Sequence, residues 1–173
     1  TNALLSFPNT KVISLDRDKN AVDYASNTKK HFKDRFTFFN EKFRNLDKVI
    51  KKNFKADFII FDLGISSMQI SNLSRGFSFN SKDNIDMRMG INSISAQDVL
   101  NNCNPITLKK ILKYFGDEKD SSRIVKNIIR EREKSPILSV PQLVEIIKKS
   151  KKKNFKKKIN ICTQTFLNFV NYF

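Results

Sequence analysis

The chain has 173 residues, is 39% hydrophobic and carries a formal charge of +16, which is enough chain for one cored domain with room for an appendage. No apolar run approaches the roughly 20 residues that span a bilayer, and the opening TNALLSFPNTK has neither a basic start nor a continuous apolar stretch, so a cytoplasmic protein is expected. Cys103 and Cys162 lie apart, without a C-x-x-C pair or a neighbouring histidine, which argues against a metal site and for two reduced thiols.

KVISLD (11–16) predicts a short buried strand that ends in a carboxylate, and DKNAVDYASNTKKHF (18–32) follows with helical spacing. RFTFFN (35–40) predicts a second strand and EKFRNLDKVIKKN (41–53) a mixed segment. ADFIIFD (56–62) then predicts a third strand, delivering Asp62 to its tip ahead of Gly64. Strands separated by helix-length segments imply parallel crossovers, whose ligands gather at the carboxyl ends of the strands. Asp16 and Asp62 are both expected at that edge.

SNLSRGFSFNSKDNIDMRMG (71–90) shows neither helical nor strand period and predicts a long loop, of a kind that is usually functional or disordered. Helices are expected beyond it. Ser95 and Asp98 form a capping-box pattern, Pro105 suits a first helical turn with Leu108, Ile111, Leu112 and Phe115 as its apolar face, and Gly116 closes that helix. SSRIVKNIIRERE (121–133) continues to Pro136, and a second box, Ser139 with Gln142, opens a helix carrying Leu143, Ile146 and Ile147. The chain therefore reads as an α/β part and a helical part divided near Gly90. KKSKKKNFKKK (148–158) holds 8 of the lysines and leaves the rest of the chain at +8. RNA contact and a merely solvated helix end or linker are both open for this run, since only 8 of the 33 basic residues are Arg and the Lys-, Asn-, Ile- and Phe-rich composition is what an A- and T-rich genome produces.

An acidic residue at a second-strand tip is what the vicinal hydroxyls of a nucleoside cofactor need, and equally what a helix N-cap needs. The glycine fingerprint that would decide between them is absent, because all four glycines lie after residue 63.

LDRD, FDLGISSMQI, RGFSFNSKDNIDMRM, SAQDVLN and YFGDEKDSSRIVKNII resemble, in collinear order from Thr1 to about Phe166, successive motifs of the ribosomal RNA small subunit methyltransferase H family. Such enzymes are S-adenosylmethionine-dependent cytosine N(4)-methyltransferases of 16S rRNA. The resemblance implies an α/β fold: a partial Rossmann-like methyltransferase sheet with an inserted helical domain. The expected division is 1–90 for the cofactor-binding part with its active-site loop, 91–160 for a helical substrate-recognition insertion and 161–173 for a return to the first domain.

By the same resemblance, Asp16 would hold the cofactor ribose, Phe43 would pack near the adenine, and Asp62 with Gln69 would complete the pocket. Asp62 would also be catalytic, accepting from the target amine as methyl transfer proceeds. Phe77 and Phe79 are candidates for stacking on the splayed base, with core packing the alternative. Arg75 and Arg88 are candidates for RNA phosphate, with an ion pair to Asp83 or Asp86 the alternative. The implied partner is 16S rRNA of the small subunit, in its decoding region, without metal or membrane. Relatives begin with a first strand and a glycine-histidine loop before the equivalent of Thr1, and continue past the equivalent of Phe166, so a fragment lacking both ends is expected. Such a fragment would neither bind cofactor tightly nor methylate RNA alone; a non-catalytic, basic remnant is the alternative to an enzyme.

Overall fold

A computed structural model describes residues 1–90, 93–115, 117–151 and 159–172. Contacts divide the chain into two units, Thr1–Phe61 with Met89–Ile91, and Asp62–Arg88 with Asn92–Phe173.

The first unit opens on a one-turn helix α1 (Asn2–Leu5), followed by strand β1 (Val12–Leu15), helix α2 (Ala21–Phe32), strand β2 (Phe36–Phe39) and a short helix α3 (Leu46–Val49). β1 and β2 pair in parallel, Val12 opposite Phe36 and Leu15 opposite Phe39. α2 is the crossover that a parallel pair requires. Its Ala25 faces the sheet, and Leu5, Ala25 and Phe36 form a small core closed by Val12, Phe32 and Phe38. The α1 segment is tied to the end of α2 by Arg35, whose Nη1 donates to the carbonyls of Leu5 (3.1 Å) and Phe7 (3.0 Å).

The third strand expected over 56–62 does not form. The sheet has two strands, and no described residue pairs with the outer edge of β1. An isolated strand cannot satisfy its backbone groups except by pairing, so the run stays irregular, with Phe58 88%, Ile60 70% and Leu63 71% exposed.

The second unit is helical: α4 (Ser67–Ser71), α5 (Ala96–Asn102), α6 (Pro105–Tyr114), α7 (Ser121–Arg132), α8 (Val140–Ser150) and α9 (Thr163–Tyr172). The expected caps form. Ser95 and Asp98 close a reciprocal box on α5, Ser139 and Gln142 do the same on α8, and Asn104 caps α6 through Thr107 N (2.8 Å) with Pro105 in the first turn. Gly116 lies outside the described residues. Leu108, Ile111 and Leu112 of α6, Ile124 and Ile128 of α7, Leu143 and Ile147 of α8 and Phe169 of α9 are all fully buried and make the larger core. Among the described residues no helix is long and apolar enough to cross a membrane.

Candidate functional site

The carboxyl ends of β1 and β2 lie side by side. Asp16 N donates to the Phe39 carbonyl (3.2 Å), and Asn40 Nδ2 donates to the Asp16 carbonyl (2.9 Å). Two successive Asx turns then carry the chain off the sheet: Asp18 N donates to Asp16 Oδ1 (2.8 Å) and Asn20 N to Asp18 Oδ1 (3.1 Å). The first turn fixes the Asp16 carboxylate, which is exposed, and occupies one of its oxygens; the other keeps its acceptor capacity. Asp18 is buried, at 5% exposure.

The end of the long loop is moored to the same turn. Arg17 Nη2 lies 2.8 Å from Met89 Sδ, and burial pushes its guanidinium below its ordinary value against the pull of Asp16 and Asp18. Gly90, at φ +63°, passes so close to the Arg17 carbonyl and Lys19 N (2.8 Å from an ideal Cβ) that no side chain fits. Sequence reasoning selected Asp16 here and missed Arg17, Asp18, Asn40, Met89 and Gly90. The D-x-D spacing and the glycine ending MRMG were the available signals.

Phe43 begins a 3₁₀ turn (Phe43–Asn45) after β2 and is 61% exposed, with the Phe61 ring edge-on at 6.0 Å. Asp16 and Phe43 thus belong to the first unit, a carboxylate and an open aromatic face following the ends of two adjacent strands. That combination suits a nucleoside, whose diol needs an acceptor and whose base needs an apolar partner.

Asp62 and Gln69 belong to the second unit. Asp62 is exposed in the irregular stretch before Gly64, which adopts φ +122°. Gln69 is 6% exposed: Ser66 N donates to Gln69 Oε1 (3.0 Å) and Gln69 N to Ser66 Oγ (3.2 Å), a third capping box, which starts α4. The S-x-x-Q spacing of Ser66 and Gln69 was the signal for it.

The loop 71–90 is ordered by the helical core. After a 3₁₀ turn (Leu73–Arg75), Gly76 adopts φ +72°, and an ideal Cβ there would stand 2.5 Å from the Asn84 carbonyl, so the position requires glycine. Met87 N donates to the Arg75 carbonyl (2.9 Å), Ile85 N to Leu138 O (3.0 Å), Val140 N to Asp83 O (2.9 Å) and Ala96 N to Asp86 O (2.8 Å). Ile85 and Met87 are fully buried. Arg75 lies over the Phe77 ring at 5.0 Å and donates to the Arg88 carbonyl (2.8 Å); Phe77 is 3% exposed, the core-packing alternative of the two. Phe79 is half-buried, edge-on to Phe166 of α9 at 6.0 Å. Arg88 closes a two-pronged pair on Asp86 (Nε to Oδ1 2.6 Å, Nη2 to Oδ2 3.0 Å), which holds the Asp86 carboxyl below its usual range.

In the described part of the lysine run, Lys148 and Lys149 are exposed in the last turn of α8, as a solvated helix end would be, and Lys151 departs from both expectations. Lys148 pairs with Glu145 at 3.3 Å, while Lys151 is buried, 2.5 Å from Glu118 Oε2 and donating to Ile161 O (2.7 Å). Thr165 Oγ1 completes the cluster at 2.9 Å from the same carboxylate oxygen. Residues 152–158 of the run lie outside the described residues. Among those described, no group of His, Cys, Asp and Glu is arranged to hold a metal ion.

The model of the MraW methylase family matches residues 1–169. Among curated relatives named Ribosomal RNA small subunit methyltransferase H, that of Orientia tsutsugamushi (strain Boryong) is 39% identical over 166 residues, covering 94% of this chain and 53% of the relative. That of Streptomyces avermitilis is 38% identical over 150 residues, covering 85% and 47%, and that of Rickettsia canadensis (strain McKiel) 37% over 167 residues, covering 96% and 53%. The chain spans about half the length of the curated relatives it matches.

Proposed function

Because the chain belongs to the MraW methylase family, we propose that it serves S-adenosylmethionine-dependent N(4)-methylation of a cytidine in the decoding region of 16S rRNA, in the cytoplasm. The observation that carries this reading is the edge formed by β1 and β2, where a pinned, exposed carboxylate follows one strand and an exposed aromatic ring the other. Asp16 would accept from the ribose hydroxyls and Phe43 would pack on the adenine. S-adenosylmethionine supplies an electrophilic methyl group on its sulfonium. The proposed division is a partial Rossmann-like cofactor domain over 1–90, a helical substrate-recognition insertion over 91–160 and a return to the cofactor domain over 161–173.

The chemistry left to the chain is positioning and charge. The amine lone pair of cytosine is delocalised into its ring, so attack requires the nitrogen to be bent out of conjugation and its hydrogens held. Asp62 would accept from that amine and stabilise the positive charge that develops on it. No base need act first, because the amine becomes acidic only once methylated. Gln69 would contribute by setting the start of α4 behind Asp62. Arg88 would exchange its Asp86 partner for an RNA phosphate, Phe77 would hold Arg75 in place for the same task, and Phe79 would face the base.

A second reading, a basic RNA-associating chain without catalysis of its own, is favoured by one observation. The segment carrying Asp62 lies outside any strand, and no hydrogen bond from a described residue pins that carboxylate as Asp16 is pinned. Substitution in a catalytically competent protein containing this chain separates the roles. Asp16→Ala is expected to weaken cofactor binding by roughly 1–3 kcal/mol, the range for a lost hydrogen-bond partner, with the fold kept. Asp62→Asn is expected to lower turnover more than RNA affinity. Unchanged cofactor affinity in the first, or wild-type turnover in the second, removes that residue from the site.

A further inference from the structure

α6 and α7 pack side by side, and between them runs a groove of about 400 Å³ lined by Pro105, Ile106, Lys109, Val125, Lys126 and Ile129. It is a shallow, open depression on the surface rather than an enclosed cleft. The floor is aliphatic, and Ile106 stands 69% exposed over it. Lys109 and Lys126 rim it, and neither has a carboxylate or hydrogen-bond partner among the described residues. α6 contains no acidic residue at all and also carries Lys110 and Lys113, and α7 has none before Glu131, which pairs with Arg130. A field of one sign over two helices draws a polyanion, and an aliphatic trough between the cations accepts the flat apolar face of an unstacked base.

We propose that this groove is an RNA contact outside the methyl-transfer site, seating one unpaired nucleotide with its base against Ile106, Val125 and Ile129 and the flanking phosphates on Lys109 and Lys126. The proposal rests on the reading of RNA as substrate. It is tested with the full chain and fluorescein-labelled dodecauridylate, by anisotropy across a salt series. The double variant Lys109→Gln/Lys126→Gln is expected to reduce the slope of log K against log salt by roughly 1.4, about 0.7 for each phosphate released from a single strand. Ile106→Ala is expected to weaken binding several-fold with the slope unchanged, and Lys52→Gln to alter neither. Since these side chains are exposed, circular dichroism melts should coincide with wild type. If wild type binds and the double variant keeps its slope and affinity, the groove is overturned while the RNA reading stands. If wild type binds no oligonucleotide, both fall. A glutamate- and leucine-rich amphipathic peptide that binds the groove and is not displaced by dodecauridylate would assign it to a protein partner and overturn the proposal.

Discussion

Burial gives individual side chains here opposite fates. Lys151 belongs to a run that sequence alone leaves between RNA contact and a solvated end, because a lysine's neighbours in sequence say nothing about a carboxylate thirty-three positions earlier. The structure makes it the partner of Glu118, also nearly inaccessible, with Thr165 on the same oxygen. Removing one member of a buried pair strands the other charge, so Lys151→Met is expected to lower stability by roughly 3–5 kcal/mol in urea unfolding. A change under about 1 kcal/mol, the size for an exposed pair, would mean that the pair is solvated in solution. Gln69, which the resemblance puts in a cofactor pocket, also closes a helix cap through its Oε1.

Among the elements, those that carry their own local chemistry were legible. The helices over 96–102, 105–114 and 140–150 begin where their capping residues stand, and β1 and β2 fall within the stretches expected for them. The run over 56–62 predicts a strand because five of its seven residues are apolar or β-branched, but pairing is a property of a neighbour, and no neighbour is present among the described residues. The loop 71–90 failed in the other direction. Its Ile85, Met87 and Met89 are all buried and Asn84 bridges to Ser139, but Met87 takes φ +53°, so the loop buries these side chains without forming a strand, beneath a polar, apparently unpatterned sequence.

Two substitutions test that strap. Gly90→Ala is expected to destabilise by more than the roughly 1 kcal/mol typical of a glycine change, because both the positive φ and the Arg17 carbonyl oppose a side chain. A neutral effect would show that the loop end is not moored at the Asp16 turn. Asp86 tests it by pH. Its carboxyl is depressed in the folded chain, chiefly by Arg88, so its contribution is present above the ordinary aspartate range near 3.9 and lost as pH falls through the lower native value. The stability gap between wild type and Asp86→Asn is therefore expected at pH 7 and should close in acid; a gap that persists at low pH would contradict the pairing with Arg88.

At the scale of the whole molecule, the carboxyl edge of the β1–β2 pair is the proposed nucleoside site for S-adenosylmethionine. Asp16 stands on a pinned turn, while Asp62 stands in an exposed, unpaired segment, so the chain by itself is expected to bind the cofactor weakly and at the first position. Amide chemical shifts of the ¹⁵N-labelled chain, followed during titration with S-adenosylmethionine, test this most directly. Fast-exchange shifts are expected to concentrate on Asp16, Arg17, Asp18, Asn40 and Phe43, and to be lost in Asp16→Ala. Shifts that leave those amides still, or that persist unchanged in Asp16→Ala, would contradict it.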